Sequence, residues 1–157
     1  MAETVMLNTN IFGRPFDDIS QERIHKETAD CFNIILLSVL DFIKVKSSDV
    51  LFAELTLTRD KTKRELMISL ANSICKENIK LEDKIIELAD GIYSYIRDYM
   101  DCLHIASAAV GKCLYFITCD DELIYNKEKI QTYLAKRGYN IYIKHPSQFL
   151  KEMEGIL

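Results

Sequence analysis

The chain has no surplus of positive charge: 20 Lys and Arg stand against 24 Asp and Glu, for a net charge of −4. That argues against a protein that grips nucleic acid by bulk charge. It leaves room for an enzyme whose acids hold metal ions that in turn meet phosphates. Proline is scarce, at two residues, and the sequence has no internal repeat, low-complexity segment or linker. With 48% hydrophobic and 28% charged residues, it reads as a compact globular protein and not a disordered one. The five cysteines (Cys31, Cys75, Cys102, Cys113 and Cys119) are an odd number and form no Cys-x-x-Cys pair. A disulfide framework or zinc site is therefore not expected, and reduced thiols packed as small hydrophobes are. No apolar run reaches the ~18 residues of a membrane span. The N-terminus lacks a basic region followed by an apolar stretch, so no export signal is visible. The expectation is a cytoplasmic protein with no membrane partner.

What is present is a chain of 157 residues with room for one domain, residues 1–157, and a real core. Thr4 to Leu7 reads as a short buried strand. From Ser20 to about Ile43, apolar residues recur at helical spacing (Ile24, Cys31, Ile35, Leu36, Val39, Phe42, Ile43), with Ser20 as a cap. Helices are expected from Asp49 to about Leu57, capped by Ser47 or Ser48, and from Asp60 to about Cys75. A short strand follows at Asn78 to Leu81, then an amphipathic stretch from Glu82 to Arg97. Asp101 to Gly111 is a small-residue helix ending on a glycine suited to its C-cap. Leu114 to Thr118 is a strongly apolar strand, Asp121 to Lys136 a polar helix stopped by Gly138, and Tyr139 to Lys144 a last strand. Pro146 opens a terminal helix. Strands separated by helices throughout predict a parallel sheet covered on both faces.

Four polar residues should then meet at one edge of that sheet. Asn8 follows the first strand and Asp120 follows Leu114–Thr118; parallel strands place their C-terminal ends together, where α/β folds bind ligands. Glu54 interrupts the apolar segment "VLFAEL", and Asp101 opens "DCLHIASAA", where a helix N-terminus stabilises an acid. Singly, each has an ordinary explanation. Asp101 caps a helix, Glu54 pairs with Arg59 or Lys63, and Asp120 serves a turn. Arg14 is placed to reach a substrate phosphate, or is a solvated or structural arginine. His104, one turn after Asp101, reads as a satisfied core histidine. The run Arg59, Lys61, Lys63, Arg64 reads as a solvated helix face.

Together the four stretches resemble the PIN-domain nucleases, including the VapC-type toxins of toxin–antitoxin pairs. "MLNTNIFGRPFDD" resembles the family's first motif, with Asn8 where an aspartate normally stands. "SSDVLFAEL" resembles the second around Glu54, and "MDCLHIASAA" the third around Asp101. "YFITCDDEL" resembles the fourth, its Thr-x-Asp spacing selecting Asp120 over Asp121. The resemblance implies a PIN-like α/β fold, a three-layer α/β/α sandwich around a central parallel sheet of four to five strands. It implies an endoribonuclease dependent on Mg2+ or Mn2+, with Glu54, Asp101 and Asp120 as catalytic metal ligands and Asn8 in the fourth ligand position. RNA as substrate, a small antitoxin protein as partner and a homodimer are further implications.

Asparagine brings an oxygen but no charge. At ~4 Å and an effective dielectric near 20, a unit pair interacts by roughly 4 kcal/mol, so Asn8 predicts weakened or lost activity. An alternative is a PIN scaffold that has lost catalysis and binds RNA or a protein partner. A phosphoaspartate-forming phosphatase would need a nucleophilic aspartate after the first strand, and "NTN" supplies none.

Overall fold

Alternation decides which way each strand faces, and here both faces are apolar. A computed structural model describes residues 2–18 and 20–155. In strand β1 (Glu3–Leu7), Val5 and Leu7 join one core cluster and Met6 joins another. β4 (Tyr115–Ile117) divides the same way, Ile117 on the first side and Phe116 on the second, while β2 (Ile43–Ser48) gives Ile43 and Val45 to the first side and β5 (Tyr142–Lys144) gives Ile143 to the second. A sheet buried on both faces is what βαβ crossovers produce. With the edge strand β3 (Cys75–Ile79), the order is β3-β2-β1-β4-β5, and every pair is parallel.

The first layer holds α1 (Thr9–Gly13), α2 (Glu22–Val39), α3 (Asp49–Thr56), α4 (Lys61–Ile74) and α9 (Pro146–Glu154). The second holds α5 (Asp83–Ile92), α6 (Tyr99–Val110), α7 (Asp121–Tyr125) and α8 (Lys127–Ala135). A single 3-10 turn, Arg14–Phe16, links α1 to the loop before α2. The three-layer parallel architecture matches the sequence expectation, with five strands.

Several local expectations are corrected. The long helix begins at Glu22, where no side chain caps it, and ends at Val39. Asp41, at φ 61°, then takes the left-handed conformation that usually falls to glycine or asparagine. The following "IKVKSS" is β2, a strand the helical reading of Phe42 and Ile43 concealed. The inward face of α2 is Glu27, Thr28, Cys31, Ile34 and Ser38; Leu36, Val39 and Phe42, which recur at helical spacing in the sequence, are exposed.

Ser48 does cap α3, accepting from the Leu51 N–H at 3.0 Å. The polar stretch after Asp120 is two helices, α7 and α8, broken at Asn126. Gly111 ends α6 but keeps φ −76°; Lys112 takes the positive φ. Glycine is needed at 111 because a Cβ there would collide with the Ile79 side chain. The cysteines are free, as expected, and burial pushes the Cys75, Cys102 and Cys113 thiols up to about 12.

The connections run outward in opposite directions from the central pair: β1 leads to β2 and β3, β4 to β5. That leaves a crevice beyond the C-terminal ends of β1 and β4.

Candidate functional site

Asn8 sits in that crevice, 3% exposed. It is held by its own N–H to the Ile117 carbonyl at 2.9 Å. Its Oδ1 accepts the Thr9 backbone N–H at 2.7 Å, capping α1. A backbone N–H only donates, so the other end of the side chain must be the amide nitrogen. That Nδ2 donates to Thr118 Oγ1 at 2.9 Å and, at the 3.5 Å limit, to Asp101 Oδ1. Asn8 therefore turns a donor, not a carbonyl, toward the acids.

Asp101 lies in the first turn of α6, behind the cap residue Asp98, whose carboxylate accepts from the N–H groups of Met100 and Asp101. It is 6% exposed. Burial, then the charges of Asp98, Asp120 and Glu54, push its carboxyl up to about 7; the Asn8 amide opposes them and loses. Glu54, on α3, behaves differently. Burial pushes it upward too, but hydrogen bonds from His104 and Thr9 hold it below the usual carboxylate value. His104 Nε2 lies 3.0 Å from Glu54 Oε1 and 3.3 Å from Thr9 Oγ1. A carboxylate only accepts, so this nitrogen carries the proton; buried Nδ1 has no partner among the described residues. Asp120 caps α7, its Oδ1 accepting from Glu122 and Leu123. Asp121 points elsewhere, paired with Arg23 at 2.8 Å.

Asn8, Glu54, Asp98, Asp101 and Asp120 line one cleft of about 330 Å³. Arg14 and Lys63 line it as well. Both grip Asp17, Arg14 at 2.8 Å, and against the upward push of burial they hold its carboxyl below the ordinary value. Arg14 is thus partly structural, and Lys63, read from sequence as part of a solvated face, belongs to the cleft. Sequence reasoning also passed over Asp98, for which the signal was an acid three residues before Asp101 at the cap position. It did not foresee His104 as the partner of Glu54, though both stood in segments already singled out.

A second polar group lies beside this cleft. Glu27, Cys119 and His145 bring one ligand atom each to within 4.8 Å of one another, the one such trio among the described residues. Glu27 is already served: Arg14 Nε at 3.1 Å, His145 Nε2 at 2.9 Å and Arg23 Nε at 3.4 Å. A cation there would face two guanidinium groups. The acids of the cleft do not meet that spacing. Their chemistry nevertheless fits Mg2+ or Mn2+: hard oxygens, a carboxyl raised by burial and then by its acidic neighbours, and space for the waters that Mg2+ retains.

Among solved structures, the chain is similar to one in the crystal structure of VapBC2 from Rickettsia felis bound to a DNA fragment from their promoter. The TM-score is 0.57 and the identity 14%, covering 90% of this chain and 98% of that one. The fold is PIN-like. No family model matches the chain, and no curated protein matches it. At 14% identity the likeness carries the PIN-like fold alone; the chemistry of the cleft rests on its own residues.

Proposed function

We propose that the chain is a metal-dependent endoribonuclease of PIN type, the toxin of a type II toxin–antitoxin pair, with activity weakened by Asn8. The observation that carries this reading is the carboxyl of Asp101, raised to about 7 among Asp98, Asp120 and Glu54 at the switch point of a parallel sheet. Uncompensated acids at a ligand-binding edge call for a cation. Glu54, Asp101 and Asp120 would hold it, while Asn8, in the fourth position, presents its amide NH2 and supplies no ligand oxygen, which is why activity is weakened. The chemistry such a cation would supply is Lewis-acid polarisation of a scissile phosphodiester and activation of a water. The chain's own residues do the rest. His104 and Thr9 hold Glu54, the cap bonds hold Asp120, and Arg14 and Lys63, which line the same cleft, meet the phosphates.

The partners follow the same reading. Phe32, Leu36, Val39, Leu40 and Phe42 expose apolar surface along and just beyond α2, which supports a protein partner, either a small antitoxin or a second copy in a homodimer. A cytoplasmic location suits free, buried thiols. No described helix is long and apolar enough to cross a membrane.

A second reading, a PIN scaffold that binds RNA or a protein without cutting, is favoured by one feature: the Asn8 amide occupies hydrogen-bonding space a metal would need. Incubating single-stranded RNA with the protein in Mn2+ and in EDTA separates the two. Slow cleavage in Mn2+ alone, lost in Glu54→Gln and in Asp120→Asn, is the expected result. No cleavage under any condition selects the scaffold.

A further inference from the structure

A second, roomier cleft lies elsewhere. It encloses about 620 Å³ between the end of α5, the turn after it, and α8, and shares no residue with the acidic cleft. Its character is opposite. Lys129, Lys136 and Arg137 line it against one acid, Glu128. None of these three cations has a carboxylate within 4 Å among the described residues. These three cations gather around one cleft in a chain whose net charge is −4.

Two tyrosines complete the wall. Tyr95 and Tyr133 lie 6.1 Å apart between ring centroids, tilted by 59°. Arg137 covers the Tyr133 ring at 3.7 Å and donates to the Tyr133 carbonyl at 3.1 Å, so the ring and the end of α8 are held in place. Gly91 makes this possible, since a Cβ there would run into the Tyr133 hydroxyl. The result is an aromatic wall held in place, sharing the cleft with two exposed lysines, Lys129 and Lys136. Alternating cations and ring faces suit a phosphodiester strand with unstacked bases; a folded acidic protein would use the charge but not the rings.

We propose that this cleft is a second contact for single-stranded RNA, with Lys129 and Lys136 on phosphates and Tyr95 and Tyr133 against a base. The identity of the strand rests on the ribonuclease reading; the existence of a cationic, base-stacking site does not.

The test is fluorescence anisotropy of a labelled single-stranded RNA with the full chain in EDTA, where no cleavage intervenes. Lys129→Gln with Lys136→Gln changes only exposed side chains. It should weaken binding at low salt by about tenfold and lower the slope of log affinity against log salt by about 1.4, or about 0.7 for each lost phosphate contact. Tyr95→Leu should weaken binding by about tenfold while leaving that slope unchanged. Wild-type affinity in the lysine pair variant overturns the proposal. So does equal competition by poly-glutamate, which offers charge without bases. The same preparation assayed in Mn2+ separates the two readings: absent cleavage with patch-dependent binding defeats the ribonuclease and keeps the cleft.

Discussion

Two buried carboxyls about equally hidden from water behave in opposite ways. Glu27 is 3% exposed and Asp101 6%, so burial pushes both upward. Yet Glu27 is held below the ordinary carboxylate value and Asp101 is raised to about 7. The difference lies in their neighbours. His145, Arg14 and Arg23 converge on Glu27, while Asp98, Asp120 and Glu54 surround Asp101, with one amide, from Asn8, on its side. Glu27 is a finished interaction that ties α2 to the 3-10 turn and, through His145, to the start of α9. Asp101 is an unfinished one. A site that stores repulsion in the folded chain is a site that stabilises when a cation enters.

Removing each acid should therefore have opposite consequences for stability. The largest effect is expected at Glu27: Glu27→Gln leaves the guanidinium groups of Arg14 and Arg23 short of a counter-charge and weakens the hydrogen bond from His145 Nε2, at a cost of about 3 kcal/mol by denaturant unfolding. Asp101→Asn should instead stabilise the metal-free chain at pH 8, by roughly 2 kcal/mol, because the raised carboxyl is charged there at the expense of the fold. The sign follows from linkage. With a folded value near 7 against 3.8, the folded state binds more protons between those limits, so the metal-free wild type should lose stability as pH climbs from about 4 to 7. Melting temperatures across that range should fall in the wild type and flatten in Asp101→Asn; parallel curves would break the contrast. The smallest effect is expected at Asp121, exposed and paired with Arg23, where Asp121→Asn should change stability by no more than about 0.5 kcal/mol and leave RNA cleavage intact.

The acidic edge was legible because strand ends and helix starts carry position as well as chemistry. Asn8 and Asp120 follow strands, and Asp101 opens a helix, so their meeting needed only the parallel sheet. The strand β2 was not legible, since Phe42 and Ile43 continue the helical spacing and the chain reverses at Asp41 without the glycine that would have signalled it. The orientation of Asn8 was equally hidden. Sequence shows an amide at the position, but only the Thr9 N–H decides which end faces Asp101. Lys63 belongs to the cleft because Asp17, on a distant loop, draws it there, and no spacing in the helix records that pull.

The claim that the acids await a cation is tested most directly by calorimetric titration of the metal-free chain with Mn2+ near pH 7, in buffers of different ionisation enthalpy. Asp101 is then about half protonated and must surrender that proton, so the wild type should bind weakly and release about half a proton, with heats that depend on the buffer. Asn8→Asp should bind more tightly, since a carboxylate replaces the amide facing Asp101. Heats that are the same in every buffer, with Asn8→Asp no tighter than the wild type, would contradict the account.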